Sequence, residues 1–401
     1  MSANPSSTNL RPLPAPKAQI DVEDLALHEG AAVLIRRALG NLSPGDLLEI
    51  RATSELFDAE LPAWCRKSGH CCVRGSRSTG FWLIERGAAE AQLLARPFGV
   101  APRADSHWGL APRGAAIESG GPAFSFTLNE QRQVWGESLA QIYKQSTANQ
   151  WSAADIAWHD IVGERLDVET AVAQIMTFLT ENEFAALYVP ARFIPRIHPH
   201  YREVVEVLSM QIADEARHAQ TFTRRAELAG GLGVTAASGQ LSLQTLLEEA
   251  DFTVAVFLLC VMGEGTFLTL LKFLEDCAPD EPTKKLMLLA HRDEARHVAF
   301  GVEHTRYILQ HEPERRSLLS AAVEQRSRML AAISGLSPYV HDALVVYAAG
   351  GITPNEIREG TAAVARLQRE MDRQRRERLQ GLGFDAQTAT QMSVHHTKNF
   401  M

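Results

Sequence analysis

Cysteine is scarce in this 401-residue chain: there are five, an odd number with no regular pairing pattern. That excludes a disulfide scaffold and reads as a chain of a reducing, cytoplasmic compartment. No block of Lys and Arg is present and the net charge is −8, which excludes the electrostatic footprint of a nucleic-acid binder. No glycine-rich flavin or nicotinamide fingerprint follows a strand-like run. The GGLGV stretch at 230–234 follows a helical pattern instead and reads as a helix stop. Nothing at the start reads as a signal peptide. The opening MSANPSSTNLRPLPAP is polar and proline-rich, and 1–19 is expected to be a disordered tail. The longest apolar run, 252–274, carries Glu264 near its middle and Lys272 close behind, so it makes a poor membrane span.

What the chain does have is one charged pentapeptide twice. DEARH occurs at 214–218 and again at 293–297, each time within an otherwise apolar pattern. Glu215 and His218 are three apart, as are Glu294 and His297, so each pair shares one helix face. Leu208, Ile212, Ala219 and Phe222 lie on the first of these faces; Met287, Ala290, Val298 and Gly301 lie on the second. The Glu–His edge therefore looks inward. A carboxylate in a core needs a cation, because desolvating it costs several kcal/mol. Arg217 and Arg296 fall on other faces, which leaves a metal ion as the better candidate.

Two Glu–His pairs make four ligands, and a dinuclear site in a helical bundle wants two more carboxylates from two more helices. Glu264 is one candidate. It shares its face with Phe257, Val261, Phe267, Leu268 and Leu271 and precedes Glu294 by 30 residues. On the other side Glu181 and Glu183 compete. Glu181 keeps company with Thr170, Gln174 and Thr177, a wet face. Glu183 keeps company with Val172, Met176, Leu179 and Leu187, a core face, and precedes Glu215 by 32 residues. Glu183 is preferred, with Glu181 in reserve. Residues from about 165 to 310 thus read as an internal repeat of a helix with Glu, a turn and a helix with DEARH.

With NEFAALY, ADEARHA, MGEGTF and RDEARHVAFG in place, the chain resembles the ferritin-like di-iron carboxylate proteins over roughly 130–310. That group includes bacterial multicomponent monooxygenases, the ribonucleotide reductase small subunit and the p-aminobenzoate N-oxygenases. The stretch 142–160 also looks like the leader segment of some of these oxygenases. The resemblance implies a mainly α protein: a ferritin-like four-helix bundle with flanking helices over 131–345. It implies the metal ligands Glu183, Glu215, His218, Glu264, Glu294 and His297. Asp214 and Asp293 would accept the free N–H of a ligand histidine, fixing its tautomer. Arg217 and Arg296 would balance charge through those aspartates. His291 is a candidate third histidine ligand. The resembled arylamine N-oxygenases carry theirs four residues before the glutamate, whereas His291 is three before; the alternative is a core histidine bonded elsewhere. His304 reads as a core histidine.

Carboxylates and imidazoles suit Fe or Mn. The implied cofactor is two Fe ions, with a Mn/Fe pair also compatible, with O2 as co-substrate and an external electron donor. The implied protein is a non-haem di-iron monooxygenase or oxidase acting on a small organic substrate, N-oxygenation of an amine ranking first. The alternatives are a C–H hydroxylase of a free or carrier-bound substrate, and a substrate-free metal- or peroxide-handling protein. A metal-free scaffold is opposed by the intact ligand set.

Residues 20–90 read as a separate small α+β domain, a two-layer sandwich in the order β-α-β-α-β-β. The stretch 20–88 resembles the TusA-like sulfur carriers through LSPGDLLEI at 42–50 and the PAWCRKSGH segment. That family works through a Cys-Pro-x-Pro motif at the first helix. Here the place is taken by LALHEGAAV, so sulfur transfer by that route is not expected and the domain reads as a dock for a carrier or redox partner. Cys65, Cys71 and Cys72 with His70 match no zinc spacing. Residues 91–130, rich in Gly, Pro, Ala and Ser, read as a linker or an irregular wrap. A helical extension is expected over 346–401. Its basic face, Arg369 to Arg378, interleaves with Glu370, Asp372 and Glu377 and reads as a solvated helix or an oligomer contact, compatible with a homodimer.

Overall fold

The structure is a computed structural model and describes residues 14–88, 93–94, 98–118, 120–161, 163, 165–331 and 336–396. Of the stretch read as a tail, residues 1–13 lie outside the described residues, and the first strand already begins at Ala18. Two units are present: 1–98 with 114–121, and 99–113 with 122–401.

In the first unit the order is β1 (Ala18–Asp21), α1 (Ala31–Gly40), β2 (Leu47–Arg51), α2 (Phe57–Lys67), β3 (Cys71–Ser76) and β4 (Phe81–Glu85). The sheet order is β1-β2-β4-β3. β1 and β2 pair in parallel, which requires the α1 crossover; the other pairs are antiparallel. Ile35 and Leu39 from α1, and Phe57, Leu61 and Cys65 from α2, share a core with Leu48, Ile50, Trp82 and Ile84. Burial pushes the Cys65 thiol up to about 12 and makes it inert, while Cys71 is exposed. A two-residue pair, β5 (Leu93–Leu94) with β6 (Ile117–Glu118), completes the unit.

The second unit is helical. Its 99–113 and 122–130 parts behave as a wrap. Ala101 N donates to His200 Nε2 at 2.7 Å, Arg113 Nη1 to Glu203 Oε1 at 2.9 Å and Tyr201 Oη to the Asn129 carbonyl at 2.9 Å. Two short helices, α3 (Gln131–Val134) and α4 (Leu139–Ala148), lead to α5 (Leu166–Ala191) and α6 (Arg202–Leu228). After α7 (Ala237–Glu248), α8 (Phe252–Val256) widens into a π-helical segment, Phe257–Glu264, and continues as α9 (Gly265–Asp276). α10 (Glu281–His311) follows, started by Asp280 accepting from Thr283 N and by Pro282 in the first turn. α5, α6, α8–α9 and α10 are the four rods of a helical bundle, with α4 against α6 and α10. The continuous rod Phe252–Asp276 is long and apolar enough to cross a membrane; here its most apolar 18-residue stretch is 94% buried and serves as core.

α11 (Arg315–Met329), α12 (Pro338–Ala349), α13 (Pro354–Gly381) and α14 (Ala386–His395) close the chain. α13 starts with a capping box, Thr353 and Glu356, and packs on α12 and α9. The basic face read as solvated is split. Arg373 pairs outward with Glu370 and Glu377, and Arg376 with Asp372. Arg375 and Arg378 turn inward to Thr266, Ser393, Val261 and Gly265. Charge alternation alone does not report which turn faces the bundle.

One ion cluster ties the rods at one end. Arg225, fully buried on α6, donates from Nη1 to Glu169 Oε2 of α5 at 2.9 Å. Its Nη2 reaches Asp280 Oδ2 at 2.9 Å, and its Nε reaches Thr283 Oγ1 at 2.6 Å. Arg225→Ala is expected to lower unfolding free energy by about 3–5 kcal/mol, since it strands the buried Glu169 carboxylate and the partly buried Asp280. Denaturant titration by circular dichroism checks this.

Candidate dinuclear metal centre

Each rod delivers one carboxylate to the bundle axis: Glu183 from α5, Glu215 from α6, Glu264 from the end of the π segment and Glu294 from α10. α6 and α10 add His218 and His297. All six are buried, none more than 4% exposed. Their donor atoms form two groups, each lying within 4.8 Å of one another: Glu183, Glu215, His218 and Glu294, then Glu215, Glu264, Glu294 and His297. Glu215 and Glu294 belong to both.

The shared carboxylates are split between the two histidines. His218 Nδ1 lies 3.2 Å from Glu215 Oε2 and 3.3 Å from Glu294 Oε1. His297 Nδ1 lies 3.0 Å from Glu215 Oε1 and 3.4 Å from Glu294 Oε2. Each shared carboxylate thus turns one oxygen to each imidazole. Despite these approaches, Glu215 Oε1, Glu294 Oε2, Glu264 Oε2 and His297 Nδ1 are buried without a hydrogen-bond partner. Buried polar atoms are rarely left so, and here four of them gather at one place.

The far nitrogens are held crosswise. His218 Nε2 lies 3.1 Å from Asp293 Oδ2, and His297 Nε2 lies 3.2 Å from Asp214 Oδ2. The α6 histidine leans on the α10 aspartate, and the α10 histidine on the α6 aspartate. An Nε2–H donated to carboxylate leaves the Nδ1 lone pair facing the cluster. Arg217 bridges both aspartates, with Nη2 at 2.8 Å from Asp293 Oδ2, and Arg296 pairs with Asp293. Trp151 Nε1 donates to Asp293 Oδ2 at 2.6 Å, and Gln150 Nε2 to Asp214 Oδ1 at 3.1 Å.

Charge shows the same demand for cations. Burial and then the Glu215 charge push Glu183 well above the carboxylate range; burial and then Glu294 do the same to Glu264. Burial also raises Glu215, but the His297 charge and bonds from Glu183 and His218 outweigh it and hold it low. Burial would lower both imidazoles, yet the surrounding carboxylates raise His218 and His297 well above their ordinary value. Protons are retained where positive charge is needed, and metal ions would displace them.

The wide turn aims Glu264. Gly301 of α10 faces that segment, where a Cβ would come within 2.5 Å of Cys260 Cβ, so the two rods approach closely there.

No protein-family model matches the chain, and no curated protein matches it. Solved structures do. The chain is similar to an R2-like ligand-binding oxidase. One variant of that oxidase, reconstituted with a Mn/Fe cofactor, is 16% identical with a TM-score of 0.43, over 60% of this chain and 94% of that one. A second is 16% identical with a TM-score of 0.41, over 65% and 92%. At that distance the reading of the centre rests on this chain's own side chains.

Glu183 is in the cluster and Glu181 is not. Glu181 sits half-buried, bonded to Gln240, on the wall of a 690 Å3 cavity between α5 and α7. His291 belongs to neither four-residue group. It lines a 500 Å3 cavity with Leu268, Lys272, Asp276 and Arg366, and burial lowers its pKa. Three residues before Glu294 puts it about 60° to one side of that glutamate, with His297 about 60° to the other. His304 is a core histidine, bonded to Thr253 Oγ1 at 3.0 Å and the Trp135 carbonyl at 2.9 Å. Sequence reasoning passed over Gln211, whose Nε2 donates to Glu264 Oε1 at 2.8 Å. It also passed over the direct bonds of Gln150 and Trp151 to the aspartates. Gln211 was findable: it is the amide one turn ahead of Glu215 on the same apolar stripe.

Purified protein is expected to hold two Fe or Mn ions per chain by plasma mass spectrometry. Glu215→Ala or Glu294→Ala, which touch both groups, should leave fewer than one. Glu183→Ala should leave about one. Asp214→Ala and Asp293→Ala should weaken metal affinity by roughly 10–100-fold in chelator competition.

Proposed function

We propose that the protein is an O2-activating oxidoreductase built on a dinuclear Fe or Mn/Fe centre and acting on a small organic substrate. The observation that carries this reading is the splitting of Glu215 and Glu294 between two histidines, with four orphaned donor atoms between them. Glu183 and His218 would hold one ion, Glu264 and His297 the other, and Glu215 and Glu294 both. The donors are oxygen and imidazole nitrogen only, a set that suits Fe and Mn. Four carboxylates against two divalent ions give a neutral centre, which is what a buried site requires. When bound, such a pair supplies the two-electron chemistry of O2.

The chain's own residues do the rest. Asp293 and Asp214 hold the imidazoles through Nε2–H, and Arg217 and Arg296 neutralise those aspartates. The core around the rods, including Phe222, Phe257, Met262 and Met287, excludes bulk water. No protein nucleophile is needed.

Within this class, N-oxygenation of an amine ranks first on the motif resemblance. R–NH2, O2, two electrons and two protons give R–NHOH and water, the electrons coming from an external donor. His291 lends this ranking no support, being outside the cluster. C–H hydroxylation, with the same electron count, is the second reading. The N-terminal unit, whose open sheet face carries Glu49, Arg51, Arg74 and Phe81, is the candidate dock for the donor or a carrier.

Anaerobically reduced, metal-loaded protein mixed with 18O2 and an arylamine is the test. Faster O2 uptake with the amine and an 18O-labelled hydroxylamine by mass spectrometry are expected. O2 uptake indifferent to added amine, hydrocarbon or acyl carrier, with no labelled product, would replace this reading with substrate-free metal handling.

A further inference from the structure

The proposed centre depends on where the backbone puts Glu264, and that backbone is irregular. From Phe257 to Glu264 the rod is π-helical, and α-helix resumes at Gly265. Such turns are rare and usually single, and they leave backbone groups out of their ordinary pairing. Gly265 N–H reaches back five residues to the Cys260 carbonyl. In α geometry it would bond the Val261 carbonyl instead.

The Val261 carbonyl has another partner. Arg378, on α13, donates to it from Nη1 at 3.0 Å and to the Gly265 carbonyl from Nη2. Those carbonyls flank Glu264 in the chain. The guanidinium can lie against the backbone because residue 265 has no side chain: a Cβ there would sit 2.4 Å from Arg378 Cζ. The fastening continues along α13. Arg375 Nε lies 3.3 Å from Thr266 Oγ1, and Thr269 Oγ1 donates to Gln374 Oε1 at 2.9 Å. α13 therefore grips the Glu264 rod at successive turns, and the first grip is on the widened backbone itself.

We propose that Arg378 is a positioning residue for the metal centre: it holds the π register around Glu264, so that the C-terminal helix is a working part of the site. A guanidinium is suited to this because its planar fork presents two fixed donors to two carbonyls at once. Rewinding the segment to α geometry returns the Gly265 N–H to Val261 and removes one of the two acceptors. It also shifts register by one residue, which turns side chains by about 100° around the axis. Glu264 would leave the cluster, while Glu183, on α5, would stay.

The inference rests on the two-ion reading above, and its test separates the two. Wild type, Arg378→Met, Arg378→Lys and Gly265→Ala are compared by metal content, chelator competition and amide hydrogen exchange. Arg378→Met is expected to keep about one ion per chain, to bind the other at least ~10-fold more weakly, and to exchange faster at 257–265 with the other rods unchanged. Arg378→Lys should recover part of the loss. Gly265→Ala should reproduce it, although alanine is the better helix former and a generic effect on helix stability would have the opposite sign. The double variant Glu183→Ala with Arg378→Met should hold almost no metal. Arg378→Met that keeps both ions at wild-type affinity, or that loosens all four rods alike, overturns the proposal. Wild type without metal would defeat the two-ion reading; faster exchange confined to 257–265 in Arg378→Met would then still uphold the clamp.

Discussion

Four carboxylates drawn out of water to one point are the constraint on which the structure turns. Each ionised carboxylate costs several kcal/mol to bury, and like charges a few ångströms apart add to that. Glu183, Glu215, Glu264 and Glu294 are all buried on the axis of one bundle. Nothing in the apolar core compensates them. The two imidazoles and their retained protons do so only in part, since four donor atoms still lack partners. The chain has therefore been shaped around positive charge that its own side chains do not supply.

Much of the surrounding structure is a consequence. Two histidines serve the centre only if their rings are fixed, and each is fixed from the opposite rod. His218 leans on Asp293, and His297 on Asp214. This crossing couples α6 to α10 through polar contacts, and it makes the repeated DEARH a single device. Its Asp supports the other helix's His, its Glu is shared by both groups, its Arg discharges the Asp, and its Ala lies on the outer face. Arg225 does at one end of the bundle what the centre demands in its middle: it gives the buried Glu169 and the partly buried Asp280 a cation.

The half of this that follows helical period was legible in the sequence. Glu215 with His218, Glu294 with His297, and the choice of Glu183 over Glu181 all come from which residues share an apolar stripe, and that stripe exists in regular α-helix. The parts that escaped depend on departures from the period or on distant chain segments. No pattern in FLLCVMGE marks a π segment: its residues are as apolar as those of an ordinary buried α-helix, and the groups that contact the widened backbone come from elsewhere in the chain. Arg378 is 114 residues beyond Glu264, in a helix whose charges alternate as on any solvated face. His291, left open between ligand and core histidine, lies in a neighbouring cavity and outside both four-residue groups: two residues each about 60° from a third are about 120° from each other, so a spacing of three on both sides of Glu294 does not bring His291 and His297 together. The N-terminal unit was legible as β-α-β-α-β-β because its strands and turns are locally signalled, whereas its partner, if it docks one, is written nowhere in that pattern.

The two halves of the repeat are alike in sequence and unlike in structure, and the difference bears on chemistry. On one side Glu183 rises from regular helix. On the other, Glu264 sits at the end of a widened turn, takes a hydrogen bond from Gln211, and has Cys260 one turn away. The Gln211 amide engages one carboxylate oxygen, which leaves Oε2, the atom without a partner, as the oxygen through which Glu264 would hold an ion. The two halves would therefore present their carboxylates differently: Glu183 from regular helix, and Glu264 from a widened backbone with one oxygen already bonded.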